Sequence, residues 1–252
     1  MYTKLWSGFI LIMLVTGCMN NTLRSKSTYM LYPREGTIIE NQDEWAKEGY
    51  FKRISEFKKE PIGENKIVFL GNSITEGGGD WSKRFNRPNI VNRGIGGDIT
   101  EGVIERLPEI IYYKPLAVFL LIGINDIFNN DKPQKNENYV ANKIHEIVDI
   151  VKKESPKTRV FVQTILPVNP KNYFKANGFF PDHPDVSIKE KIKKINNILK
   201  NNDQLEVINL HSAFVDEEGY LDTKYSDEGV HLNESGYTNW VNFIKNKISE
   251  LN

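Results

Sequence analysis

Cysteine occurs once in the 252 residues, which excludes an internal disulfide and a zinc site built from cysteines. Histidine occurs four times, so few side chains can carry imidazole chemistry. Neither sign of charge is in surplus: 33 Lys and Arg stand against 33 Asp and Glu. A bulk electrostatic case for nucleic acid binding is therefore missing, because affinity for the phosphate backbone needs a basic surplus or stripe. No internal repeat and no low-complexity tract is visible. The N-terminal apolar run, Leu5 to Val15 broken by Ser7 and Gly8, is short of the about 20 residues that span a bilayer. The composition, 39% hydrophobic and 26% charged, is that of a folded chain and too apolar for a disordered one. The length suits one α/β domain or two small ones.

That first run has the length of a signal-peptide core, preceded by the single positive charge of Lys4. It ends in Val15-Thr16-Gly17-Cys18, which resembles the lipobox of bacterial lipoproteins. The resemblance implies cleavage before Cys18 and a diacylglycerol on its thiol. Residues 1–17 are then a signal peptide, residues 18–40 the acylated Cys18 and a tether, and 41–252 the globular domain. The expected location is the bacterial cell envelope, facing the periplasm or at the cell surface. The membrane is reached through the lipid alone. A plain secretory signal with a stray cysteine, or a buried helix, is the competing reading. Oligomeric state is not legible.

From residue 66 onward, short apolar runs alternate with helical patterns. Lys66–Gly71, Ile90–Arg93, Ala117–Gly123, Arg159–Ile165 and Glu206–Leu210 are β-branched, nearly continuous in apolar character, and bounded by Gly, Pro or Asn, as buried parallel strands are. Val140, Ile144, Ile147, Val148 and Val151 mark one face of a helix. Ile188, Ile192, Ile195, Ile198 and Leu199 mark a second; Tyr237, Trp240, Val241, Ile244 and Ile248 mark the last, with Asn233 as its expected N-cap. Asp43–Lys59 is a further helix, ended by Pro61. Such alternation predicts an α/β fold in three layers, with about five parallel strands between helices. Ligands of such sheets lie beyond the carboxyl ends of the strands.

Four blocks fall there. Gly71-Asn72-Ser73-Ile74-Thr75 puts a serine directly after the first strand, where its Oγ and its backbone N–H can face one point; an N-cap serine is the plainer reading. Asn92-Arg93-Gly94-Ile95-Gly96-Gly97-Asp98 lets the backbone approach a ligand, or is a tight turn; the lysine of a phosphate loop is missing. Gly123-Ile124-Asn125-Asp126 ends the most apolar strand with an amide that can donate to an oxyanion, or with an Asx turn. Asp227-Glu228-Gly229-Val230-His231 offers an imidazole with a carboxylate three or four residues earlier, an arrangement able to fix the tautomer; a solvated loop histidine is the alternative.

Taken in order, these blocks resemble the SGNH (GDSL-type) hydrolase family over roughly residues 66–250. The resemblance implies a flavodoxin-like fold and a serine esterase. Carried over position by position, it implies Ser73 as nucleophile, Gly97 and Asn125 as oxyanion donors beside the Ser73 N–H, and His231 as base. The family's triad aspartate stands three residues before the histidine; here that register holds Glu228, with Asp227 one further back. Glu228 is favoured, and Asp227 stays open. Asn72 replaces the usual aspartate of the first block; it and Trp81 are candidates for contacts with substrate. The scheme requires no metal and no other cofactor. His183, between Asp182 and Asp185, reads as a turn rather than a metal site, and His145 and His211 carry no arguable role.

The blocks are most similar to the subgroup of platelet-activating-factor acetylhydrolase subunits and carbohydrate acetylesterases. This implies an acylated small molecule or glycan as substrate, with an O-acetyl group as the expected leaving acid. Residues 166–186 form a long connection carrying Tyr173, Phe174, Phe179 and Phe180, able to stack on a sugar, line an acyl pocket, or pack on themselves. Three alternatives compete: a lysophospholipase or thioesterase for longer acyl chains, a non-catalytic glycan-binding lipoprotein, and a nucleotide-binding flavodoxin-like protein.

Overall fold

The computed structural model describes residues 31–128, 136–179 and 187–251. The expected signal segment, Cys18, the expected tether up to residue 30, Phe180 and His183 lie outside these residues.

Five parallel strands form one sheet: β1 (Ile67–Gly71), β2 (Ile90–Gly94), β3 (Ala117–Leu121), β4 (Arg159–Gln163) and β5 (Glu206–Ile208), in the order β2-β1-β3-β4-β5. β1 and β3 are buried at every position, which is why they read as unbroken apolar runs. The register aligns Phe69 with Phe119 and Phe119 with Phe161, and their rings stack at 5.2 and 4.7 Å across the sheet.

Helices cover both faces. α1 (Glu44–Lys59) precedes the sheet, α2 (Ser73–Glu76) and α3 (Trp81–Phe85) follow β1, and α4 (Thr100–Glu105) and α5 (Leu107–Tyr113) follow β2. α6 (Ile124–Phe128) and α7 (Glu137–Glu154) follow β3; α8 (Pro170–Asn177) and α9 (Ile188–Lys200) follow β4; α10 (Glu234–Ser249) closes the fold. α7 packs against α4, α5 and α9, whereas α10 packs against α3 and a 3₁₀ turn at Leu210–Ala213.

Val140, Ile144, Ile147, Val148 and Val151 are all buried, as the period predicts. Ile198 is not: it lies about 90° around α9 from the mean direction of Ile188, Ile192, Ile195 and Leu199 and is 36% exposed. Asn196 turns inward, its Nδ2 donating to Ile165 O at 2.9 Å and its Oδ1 accepting from Ile165 N at 2.8 Å.

Two expectations are corrected here. Part of the segment expected as tether is packed: Leu31, Tyr32 and Ile39 join Tyr50, Ile54 and Phe57 of α1 and Ile95 and Ile99 in a second apolar cluster. The Tyr32 hydroxyl donates to Glu109 Oε1 at 2.7 Å, and Glu109 holds Arg93 through two 2.9 Å bonds. The residue 166–186 connection is not all loop, because Asn169 caps α8 by accepting from Asn172 N at 3.1 Å, and Gly178 ends it at φ +79°.

Candidate active site

In the strand order found, the chain reverses between β1 and β3, and a crevice opens beyond their carboxyl ends. Ser73 sits there as the first residue of α2. A four-residue helix has no stability of its own, since nucleation is unfavourable and its carbonyl ends are orphaned. Tertiary partners supply what propensity does not. Asn72 Oδ1 accepts from Ile74 N at 3.0 Å, and Tyr237 donates to Ile74 O at 2.9 Å. Trp81 Nε1 donates to Thr75 O at 3.1 Å, and Asn92 Nδ2 reaches the carbonyls of Thr75, Glu76 and Gly79.

Ser73 Oγ lies 3.0 Å from His231 Nε2, across 158 residues of sequence. His231 Nδ1 lies 3.0 Å from Glu228 Oε1, which also accepts the N–H groups of Val230 and His231. A carboxylate only accepts, so Nδ1 carries the proton and Nε2 is left to take one from Ser73. Half-burial opposes ionisation of Glu228, but the imidazole and the backbone donors prevail and hold its carboxyl below the usual range. Asp227, the other candidate acid, accepts from Asn233 Nδ2 at 3.1 Å. Asn233 caps α10 through Gly236 N at 3.0 Å and thereby fixes where the histidine loop ends.

The loop after β2 approaches from the other side. Gly97 has φ +73°, a backbone that favours glycine, and the Trp45 ring lies over it, so that a Cβ there would stand 2.7 Å from Trp45 Cη2 and push the ring aside. Glu76 Oε2 accepts from Gly96 N at 2.6 Å and Glu76 Oε1 meets Arg53 Nε at 3.1 Å, tying this loop to the helix of Ser73 and to α1. Asp98 is wholly buried, with Arg106 Nε and Nη2 on its Oδ2 at 3.0 and 2.8 Å. Burial pushes the Asp98 carboxyl up to about 6 against the pull of Arg106. Asn125 Nδ2 donates to Asp98 O at 2.9 Å, which orients the amide and leaves its second N–H for the cavity.

Ser73, Gly97, Asn125 and His231 line one cavity of about 740 Å³, walled by Trp45, Phe128, Tyr173 and Phe179. Such an arrangement can activate a hydroxyl and hold a negative oxygen opposite it. Sequence reasoning missed three contributors. Trp45 stands one position off the buried stripe of α1 (Ala46, Tyr50, Ile54, Phe57) and is 71% exposed, an aromatic displaced toward solvent that is a readable signal. Glu76 and Arg106 act through contacts that no spacing announces.

Two candidate substrate contacts are corrected. Trp81 is 1% exposed and stacks on Phe69 at 4.2 Å and edge-on to Trp240 at 4.9 Å; α3 turns it toward the sheet. Asn72 is also 1% exposed and spends its Oδ1 on the helix cap. His211 lies away from the cavity, its Nδ1 2.9 Å from Ile165 O, and burial lowers its pKa. His145 stands beside Asp149 on α7.

Residues 69–238 match the GDSL-like Lipase/Acylhydrolase family. The chain is 25% identical over 184 residues to platelet-activating factor acetylhydrolase IB subunit alpha1 of Bos taurus, covering 69% of this chain and 71% of the relative. A GDSL-like lipase of Bacteroides thetaiotaomicron superposes with a TM-score of 0.62 at 25% identity, over 80% of this chain and 97% of that one. An acetylxylan esterase of Geobacillus stearothermophilus shares the fold with a TM-score of 0.54 at 16% identity, over 74% of this chain and 95% of that one.

Proposed function

As a member of the GDSL-like lipase/acylhydrolase family, this chain is an ester-bond hydrolase, and we propose that it removes short acyl groups, above all O-acetyl, from a carbohydrate. The observation that carries the reading is the chain of 3.0 Å contacts from Ser73 Oγ to His231 to Glu228, at the wall of the same cavity as Gly97 and Asn125.

In the proposed reaction Ser73 Oγ attacks the ester carbonyl as its proton passes to His231 Nε2. The carbonyl oxygen, now negative, is met by the N–H groups of Ser73 and Gly97 and by the free N–H of the Asn125 amide. Removing one such donor costs about 2.7–4 kcal/mol in comparable hydrolases. The C–O bond to the alcohol breaks as Nε2 returns the proton to the leaving oxygen. Water then repeats the sequence on the acyl-serine and releases the acid. Glu228 stays ionised throughout and stabilises the imidazolium.

The acetyl preference is supported by the acetylhydrolase activity named for the bovine relative and by the fold shared with an acetylxylan esterase. A second reading, cleavage of longer acyl chains, is favoured by the aromatic walls of the cavity. Acetate release from acetylated glycans and a chain-length series of nitrophenyl esters separate the two; a preference for C8 or longer would replace the first. Ser73→Ala is expected to abolish acetate release, and near wild-type turnover by that variant would end both. We also propose attachment to the bacterial envelope through a lipid on Cys18, which mass spectrometry of the membrane fraction tests.

A further inference from the structure

The cavity has two unlike ends, and the chemistry assigns them. The imidazole must return its proton to the departing oxygen, so the alcohol half of the ester lies on the His231 side of the carbonyl. α8 and the residues just beyond it bring Tyr173 and Phe179 to that side. Asn169 N donates to Gly229 O at 2.7 Å, and Leu221 N donates to Val168 O at 3.3 Å. Gly229, two residues before the histidine, has φ +95° and no room for a Cβ, which would stand 2.3 Å from Asn169 O and 3.1 Å from Tyr173 N. The start of α8 and the histidine loop are therefore one packed body. Burial raises the pKa of Tyr173, and the Glu228 carboxylate adds to the rise. Phe179 meets Tyr173 edge to face, with ring centroids 5.9 Å apart, and is 58% exposed. Trp45 belongs to the other end, over Gly97.

We propose that Tyr173 and Phe179 form the alcohol-binding subsite, selecting esters whose alcohol presents a flat, ring-shaped apolar face such as that of a pyranose. This deepens the esterase reading and rests on it. An exposed aromatic held by a second ring costs little ordering when a ligand ring stacks on it. Because α8 is bonded to the histidine loop, a ring seated there also brings the leaving oxygen to Nε2.

The test uses two ester series on the wild type, Phe179→Ala and Phe179→Trp. One holds the acid as acetate and varies the alcohol: ethyl, cyclohexyl and a mono-O-acetylated methyl pyranoside. The other holds nitrophenol and varies the acyl chain. Phe179→Ala is expected to lose about tenfold in kcat/KM on the two ring acetates, chiefly through KM. Ethyl acetate should change less than about twofold and the acyl-length profile should keep its shape. Phe179→Trp should restore the ring acetates. Equal losses on ethyl and ring acetates, a changed acyl-length profile, or a wild type that does not prefer ring alcohols would overturn the subsite while leaving the esterase. A wild type inactive on every ester in both series would overturn the esterase reading and the subsite with it.

Discussion

Glu228→Gln is the most discriminating perturbation of the proposed triad. A single atom, Glu228 Oε1, accepts from Val230 N, His231 N and His231 Nδ1. Glutamine keeps an acceptor oxygen of the same reach, so the loop's hydrogen bonds can survive and the net change is the loss of one charge. That charge stands 3.0 Å from the ring that becomes cationic in the transition state. Coulomb's law at this separation gives about 5 kcal/mol at an effective dielectric of about 20 and about 1.4 kcal/mol in water. The His231 side chain is 51% exposed and that of Glu228 26%, which places the interaction between these limits, near 3 kcal/mol on the order-of-magnitude scale. The expected effect is a fall of about a hundredfold in kcat, with KM little changed because the charge matters only once the imidazolium forms. Asp227→Asn, at a carboxylate whose hydrogen-bond partner is Asn233, should stay within about twofold. Steady-state kinetics on nitrophenyl acetate, with circular dichroism to establish folding, provide the measurement. A folded Glu228→Gln enzyme within threefold of wild type would refute the reasoning, and a larger loss in Asp227→Asn would hand the role to that residue.

Further expectations follow from the same contacts. Glu228 has a depressed folded pKa, so it adds stability above its unfolded value of about 4.5 that is lost as pH falls through the folded value. Glu228→Gln should therefore melt below wild type at pH 7, with the gap narrowing as pH falls below the unfolded value and on through the lower folded one; a constant gap in thermal scans would count against this. Arg106→Met leaves the Asp98 carboxyl wholly buried without its cation and should cost about 3–5 kcal/mol in urea unfolding. Glu76→Ala removes the acceptor that ties Gly96 to the helix of the proposed nucleophile, Ser73, and should lower kcat about tenfold with KM within about twofold. An unchanged kcat would show that the proposed oxyanion loop holds its shape without that tie.

Much of this molecule was legible from local pattern. β1 and β3 are apolar at each position because helices cover both faces, so continuous hydrophobicity gave them away. The stripe of α7 and the cap at Asn233 depend only on near neighbours in the chain. Ile198 misled because the residue lies at the margin of the α9 stripe, where a few tens of degrees decide burial. Trp81 misled because closeness along the chain to Ser73 says nothing about direction: α3 begins a fresh helix whose first residue faces the sheet.

The alternation of strands and helices, the parallel character of the sheet and the presence of a serine, a glycine, an asparagine and a histidine in chemically suggestive blocks were contained in the sequence, because each follows from periodicity or from residue type; the spatial order β2-β1-β3-β4-β5 was not. The choice of Glu228 over Asp227 at the imidazole was favoured by the register of the resemblance but not decided by it. Both carboxylates lie within reach by spacing, and the turn at Gly229, pressed against Asn169 and Tyr173, decides which one faces the ring. The same holds for Trp45, whose ring is brought over Gly97 by a helix that precedes every strand, and for the Glu76 and Arg106 ties. Such contacts join residues far apart in the chain, and only the packing of the whole chain brings their atoms within hydrogen-bonding range.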